Sequence, residues 1–281
     1  MAILVFGSSG QVATELRRID NVHSLDRNAA DLRDPQLCAE AIYDHRPDAI
    51  VNAAAYTAVD DAETNEPLAH VVNADSPTAM ARAAASLKVP FVQISTEFVF
   101  DGRKATPYST ADLANPLNAY GRGKFAGEKG IVAARGIYVI VRTSWVFSAV
   151  GRNFVTAILD GAKSRDELAV VGDQFGGPTS AKSVAAACIS IAHQLAERQV
   201  DSGIYHFSGA PDVSRADFAR EIINRAGSEV QVRNISTGDL PPAAFRPANS
   251  RMDCSELQRK FGIRRPDWRK DLVKVLQDIG S

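Results

Sequence analysis

Short apolar runs alternate with stretches in which apolar residues recur every three or four positions. The first run, Ile3–Phe6, predicts a strand, and residues 10–18 after it a helix. Val22–Leu25 and Ala49–Asn52 predict the second and third strands, separated by a helix over Pro35–His45. One long helix is expected to fill much of 65–88. Residues 91–94, ahead of Ser95-Thr96, predict a fourth strand, 117–134 a helix and 138–141 a fifth strand. Strands that are apolar throughout are buried on both faces, so the pattern calls for a parallel sheet with helices on either side.

The second half is less regular. Residues 168–171, 204–207 and 230–235 read as strands, and 180–198, 214–226 and 267–278 as helices. Pro241, Pro242 and Pro247 mark an extended loop. This order fits an α/β fold: a Rossmann-type doubly wound parallel sheet with a smaller, interleaved C-terminal substrate-binding domain. The expected division is 1–145 plus about 176–200 for the dinucleotide-binding part, and about 146–175 with 201–281 for the other. No repeat or low-complexity linker separates them.

Composition narrows the class. The 281 residues are 45% hydrophobic and 23% charged, with a formal net charge of -1. There is no basic excess to attract nucleic acid or an anionic membrane. The three cysteines, Cys38, Cys188 and Cys254, show no CxxC spacing, which fits reduced thiols better than a disulfide framework or zinc site. The first apolar run stops at Gly7, too short for a signal peptide, and no stretch has the length of a membrane span. A cytoplasmic location is the expectation.

Gly7-Ser8-Ser9-Gly10-Gln11-Val12-Ala13 lies between the first strand and its helix. Glycines let the backbone turn tightly against a pyrophosphate while the helix N-terminus points its N–H groups at the anion. The spacing is GxxGxxA. By itself it also describes an ordinary strand-turn-helix connection; its position after strand one favours a dinucleotide. Asp26-Arg27 ends strand two. An acid there accepts the ribose 2′-OH of NAD, and an arginine meets the 2′-phosphate of NADP, so NADPH and NADH both stay open. Asp31 and Leu32 either border the adenine or belong to a capped loop. Ala53, Ala54 and Ala55 are small enough for a flat cofactor to approach, or simply pack a strand end.

Thr96 ends strand four, where ligands of open α/β sheets bind. Its hydroxyl can serve a substrate carbonyl or cap a turn. Tyr120 and Lys124 stand four apart on a helix, hence on one face. An ammonium beside the phenol is expected to lower its pKa and make Tyr120 a proton donor to a developing alkoxide. Alone, the pair is equally an incidental feature of a surface helix; with the glycine turn and Thr96, in this order, it describes a reductase.

This set resembles the extended short-chain dehydrogenase/reductase superfamily and, within it, the dTDP-4-dehydrorhamnose reductase family. The resemblance rests on residues 7–12, 46–48, 51–60 and 95–100, on 118–121 with Lys124, Gly127 and Glu128, and on 142–146, 173–179, 246–247 and 249–250. It implies that NAD(P)H reduces the 4-keto group of dTDP-4-dehydro-L-rhamnose to give dTDP-L-rhamnose, a surface polysaccharide precursor. It further implies Tyr120 as proton donor, Lys124 as its assistant and as a ligand of the cofactor ribose, and Thr96 at the carbonyl. Thr57, Val59, Glu97, Phe98 and Trp145 would line the sugar site. Arg246 and Asn249 would reach the nucleotide or the cap. The resemblance offers Mg²⁺ only through Glu15, which otherwise reads as a solvated carboxylate, and leaves a monomer or a homodimer open.

One departure stands out. The family has Thr-Asp-Tyr where this chain has Thr96-Glu97-Phe98. Related dehydratases carry Thr-Asp-Glu there, and Phe98 in place of that glutamate argues against dehydration. The change bears on which sugar is taken, so a reductase or epimerase for another nucleotide sugar remains an alternative. A non-catalytic regulatory subunit of the same fold is a third reading, opposed by the retention of Thr96, Tyr120 and Lys124. Trp145 fits a sugar-stacking role or a core position. Asp60, Asp61 and Glu63 read as caps of the helix they begin. The five histidines show no metal spacing.

Overall fold

Six parallel strands form the main sheet of the computed structural model, which describes residues 1–197, 202–239 and 244–280. They are β1 (Ile3–Phe6), β2 (Val22–Leu25), β3 (Ala49–Asn52), β4 (Phe91–Thr96), β5 (Tyr138–Thr143) and the edge strand Gly203–His206. Their spatial order runs β2, β1, β3, β4, β5, Gly203–His206. The winding reverses between β1 and β3, so the crevice beyond the carboxyl ends of those two strands is where such sheets take ligands.

Both faces are covered, as unbroken apolar strands require. Ile3, Val5, Val51, Val92 and Val141 point into one core with helices α1 (Gln11–Leu16) and, later in the chain, Ala181–Glu197. Leu4, Phe6, Ile50, Phe91 and Ile140 point into the opposite core with α2 (Pro35–His45) and Ser76–Leu87. Residues i and i+2 share a face, so each strand feeds both cores.

The expected long helix over 65–88 is divided. After α3 (Val59–Thr64) come α4 (Glu66–His70), a wide turn at Val71–Asp75, and α5 (Ser76–Leu87). Pro67 and Pro77 each fall in a first turn, where the missing N–H costs least. The wide turn bulges toward α6 (Ala119–Ala133): a Cβ on Gly127 would stand 2.2 Å from the Asn73 carbonyl oxygen. Strands β4 and β5 each run two residues past the expected ends, because Ser95 and Thr96 pair in register with Arg142 and Thr143.

A third core gathers Trp145, Phe147, Val155, Ile158, Leu168, Phe218, Trp268 and Leu272. Its helices are α7 (Phe154–Ala162), α9 (Arg215–Arg225) and α11 (Trp268–Gly280), with α8 (Ala181–Glu197) and α10 (Ser255–Phe261) serving the main sheet. Strands Glu167–Val171 and Gln231–Ile235 pair in parallel beside it. Gly203–His206 extends the main sheet along β5, and Leu257 and Phe261 pack into that sheet's core. The end of the expected helix at Arg198, and Pro241 and Pro242 of the expected loop, lie outside the described residues.

Candidate active site

The glycine turn sits at the carboxyl end of β1. Gly7 has φ +107°, a conformation side chains rarely adopt, and a Cβ there would come within 3.3 Å of both Cβ and N of Ala54. Gly10 then caps α1 with no side chain of its own, leaving the N–H groups of the first turn to an outside acceptor. Ser9 and Gly10 are exposed and Val12 is buried in the core below. Gln11 accepts a hydrogen bond from the Ser148 hydroxyl at 2.9 Å, tying the turn to the segment after β5. Ala53 donates its N–H to the Phe6 carbonyl, so β3 brings the alanine run against the same crevice. The cradle fits a dinucleotide. Gly7→Val is expected to weaken NADPH binding about tenfold or more, since backbone strain of this kind is worth roughly 1–3 kcal/mol; fluorescence titration measures it.

Around the adenosine end, Asp26 is already engaged: its Oδ1 accepts the N–H groups of Asn28 and Ala29. Arg27 is exposed. Asp31 holds Arg33 through two bonds of 2.7 and 2.5 Å, and that guanidinium keeps its carboxyl below the usual range. Leu32 is buried and its carbonyl accepts the Ser76 hydroxyl.

Thr96, Tyr120 and Lys124 come together where β4 meets α6. Close packing makes this possible: Gly121 lies so near the Phe98 carbonyl that a Cβ would stand 2.3 Å from its oxygen. Asn118 caps α6 by accepting the Gly121 N–H at 2.7 Å, which fixes where Tyr120 leaves the helix. Tyr120 is half-buried, lies next to the Thr96 hydroxyl, and meets the Phe98 ring edge-on at 5.5 Å. Lys124 is buried and donates to the Ile94 carbonyl at 2.7 Å. Burial draws its pKa down to about 8, partly opposed by Glu128 one turn on.

The phenol does not shift as expected. Burial and the neighbouring Glu97 carboxylate push Tyr120 above its ordinary value, against a lowering by Thr96. The ammonium of Lys124 donates to the Ile94 carbonyl, and the charge that acts on the phenol is the negative one of Glu97. Tyr120 therefore keeps its proton at neutral pH, the state a proton donor needs.

Beneath these residues lies a buried ion pair. Arg142 grips Glu128 through bonds of 2.9 and 2.6 Å, and Ser95 donates to the same carboxylate at 2.6 Å. This locks α6 to β4 and β5.

Glu97 is buried and accepts the Thr96 hydroxyl at 2.8 Å. Burial raises its pKa to about 7, against hydrogen bonds from Thr96 and Ser250 and the charge of Arg215. Arg215 lies over the Trp145 ring, 3.7 Å from its centre, and 4.9 Å from that of Phe154. Trp145 is nearly buried within the third core and has φ +49°, a strained value for a bulky residue. Sequence reading missed Arg215: Ser214 caps its helix, and no motif marks the position.

Other expected residues do not converge as simply. Thr57 is exposed and Val59 half-buried at the start of α3. Arg246 bonds Asp60 at 2.7 Å, so its guanidinium is held toward α3. Asn249 donates to the carbonyls of Lys104 and Thr106 and accepts from Arg251, which makes it a brace for a loop. The acidic group at 60–63 serves other elements than its own helix: Asp60 takes Arg246, and Glu63 accepts the Ala119 N–H at 2.7 Å, at the start of α6. Glu15 pairs with Arg18 at 2.8 Å. Among the described residues no three of His, Cys, Asp and Glu are grouped to hold a metal ion, and no helix is long and apolar enough to cross a membrane.

Comparison with known proteins agrees over the whole chain. The family described as RmlD substrate binding domain matches residues 1–281. A dTDP-4-dehydrorhamnose reductase of Sinorhizobium fredii is 42% identical, covering 98% of this chain and 97% of the relative. The crystal structure of a dTDP-4-dehydrorhamnose reductase from Clostridium acetobutylicum superposes with a TM-score of 0.93 at 32% identity, covering 100% of both chains. That of the Bacillus anthracis enzyme in complex with NADP gives 0.92 at 30% identity, over 99% of this chain and 100% of the other. With the glycine turn, Thr96, Tyr120 and Lys124 in place, the chain belongs to the RmlD substrate binding domain family.

Proposed function

We propose that this protein reduces the 4-keto group of dTDP-4-dehydro-L-rhamnose to give dTDP-L-rhamnose. The observation that carries the reading is the meeting of Thr96 and Tyr120 at the end of β4, on the same carboxyl edge of the sheet as the glycine turn, in a chain aligned end to end with reductases of that name. NAD(P)H supplies the hydride when bound. Gly7, Ser9, Gly10, Gln11 and Val12 would hold its pyrophosphate. Asp26, Arg27, Asp31 and Leu32 would surround the adenosine, and Ala53, Ala54 and Ala55 would lie along its length. Tyr120 and Lys124 would meet the second ribose.

The chain's own part is proton delivery. Tyr120 gives its proton to the C4 oxygen as negative charge grows there, and the Thr96 hydroxyl donates to the same oxygen. Lys124, charged below about 8, keeps a positive field one helical turn away. Trp145, Thr57, Val59 and Phe98 face the sugar in this reading. Phe98 replaces the family's tyrosine and sets an apolar ring against Tyr120, which favours a second reading: the same reduction on another nucleotide sugar. The protein acts in the cytoplasm as a monomer or homodimer, and its product feeds surface polysaccharide synthesis.

Lys124→Ala is expected to lower kcat by roughly 10²-fold, the scale of a lost acid-base contribution, and to raise the KM for NADPH. Normal values of both would remove Lys124 from the mechanism. The reading itself is tested by following NADPH and NADH oxidation with dTDP-4-dehydro-L-rhamnose and its UDP analogue. Fast oxidation with the dTDP sugar supports it; fast oxidation with the UDP sugar alone transfers it to the second reading, and none with either rejects the first.

A further inference from the structure

We propose that Glu97 sets the direction in which the Thr96 hydroxyl donates, and thereby whether Thr96 can serve the substrate carbonyl. The inference rests on the reading above and concerns a residue in which this chain departs from its family's pattern.

A threonine hydroxyl has one proton to give and two lone pairs to accept with. The Phe98 N–H donates to Thr96 Oγ1 at 3.2 Å, which uses one lone pair. Thr96 Oγ1 lies 2.8 Å from Glu97 Oε2. When Glu97 is a carboxylate it can only accept, so the single threonine proton points at it and away from the substrate. When Glu97 is a carboxylic acid it donates to Thr96, and the threonine proton is released to bond a carbonyl oxygen. Glu97 acts through Thr96 and is a positioning residue.

The surroundings keep the two forms close in energy. Burial favours the acid, with the carboxyl 3% exposed as a residue. Facing it are the Thr96 hydroxyl on β4, the Tyr120 phenol on α6, the Arg215 guanidinium on α9 and the Ser250 hydroxyl beyond Asn249. Arg215 is the cation among them and favours the carboxylate; Arg246 in turn repels Arg215. The balance leaves Glu97 titrating at about 7. Because this value is raised, the acid form dominates below it and is lost above it. Tyr120, raised above its ordinary value, and Arg215, drawn down to about 10, hold their protons through that range.

The test is the pH profile of kcat at saturating NADPH and dTDP-4-dehydro-L-rhamnose. The wild type is expected to lose turnover above about 7, approaching tenfold per pH unit. In Glu97→Gln the side-chain amide donates to Thr96 at every pH, so the limb near 7 is expected to vanish and leave only the one that Lys124 sets at about 8. A Glu97→Gln protein that keeps the wild-type limb overturns the proposal, as does one that folds but is inactive throughout. Infrared pH-difference spectra of the wild type need no variant. A carboxylic acid C=O band that appears as pH falls through about 7 supports the proposal, and its absence overturns it. A wild type that oxidises no NADPH at any pH rejects the functional reading instead, and the infrared band still decides this one.

Discussion

Tyr120→Phe is expected to lower kcat by roughly 10²–10⁴-fold while leaving NADPH affinity within a few-fold of wild type. The range is that of a single positioned proton donor. The substitution removes one oxygen from a half-buried ring that packs edge-on against Phe98 at 5.5 Å, so shape and fold should persist. The loss should appear in kcat and kcat/KM alike, because the donated proton matters only as the alkoxide forms. Steady-state kinetics beside a dinucleotide titration separates the two effects. Undiminished turnover would take Tyr120 out of the mechanism.

Glu128→Ala should carry the largest cost in stability, about 3–5 kcal/mol, with a fall in the unfolding midpoint on the order of 10 °C. The side chains of Arg142 and Glu128 are 3% and 1% exposed, and removing one leaves the other charge buried without its counter-ion. Arg142 has little to fall back on. Its Nη1 already lacks a hydrogen-bond partner among the described residues, and the guanidinium otherwise lies 5.0 Å from the centre of the Phe100 ring. Ser95 loses its acceptor too. The contrast is the pair of Arg233 and Glu167, each more than half exposed, whose removal should cost under about 1 kcal/mol. Thermal or urea unfolding of both variants decides it. A Glu128→Ala protein as stable as an Arg233→Ala protein would show that Glu128 does not lock α6 to the sheet.

The first half of the fold was legible because its strands are apolar on both faces and its glycine turn directly follows the first. What the hydrophobic pattern could not show was where a helix is broken from within. Pro67 and Pro77 fall in first turns, where proline is tolerated, so the periodicity continues across the wide turn at Val71–Asp75. Helix α7 was missed because its capping partner at the third position is Thr156 and not Glu or Gln.

In the site, Thr96, Tyr120 and Lys124 were legible as spacing on known elements. Their electrostatics were not. The charge that acts on the Tyr120 phenol comes from Glu97, adjacent to Thr96 in sequence, while Lys124 donates to the Ile94 carbonyl. Arg215 reaches the same region from a helix more than a hundred residues away, and only tertiary packing reveals it. Arg246 and Asn249 show the converse. Their residue types suit a nucleotide, yet their hydrogen bonds go to Asp60 and to the carbonyls of a loop.

The most direct test follows the transferred atom. NADPH deuterated at C4 of the nicotinamide would be incubated with the protein and dTDP-4-dehydro-L-rhamnose, and the product examined by NMR. Deuterium bound to C4 of dTDP-L-rhamnose, from one face of the nicotinamide only, is the predicted result. An unchanged 4-keto sugar, or deuterium at any other carbon, would contradict the assignment of this protein as the reductase.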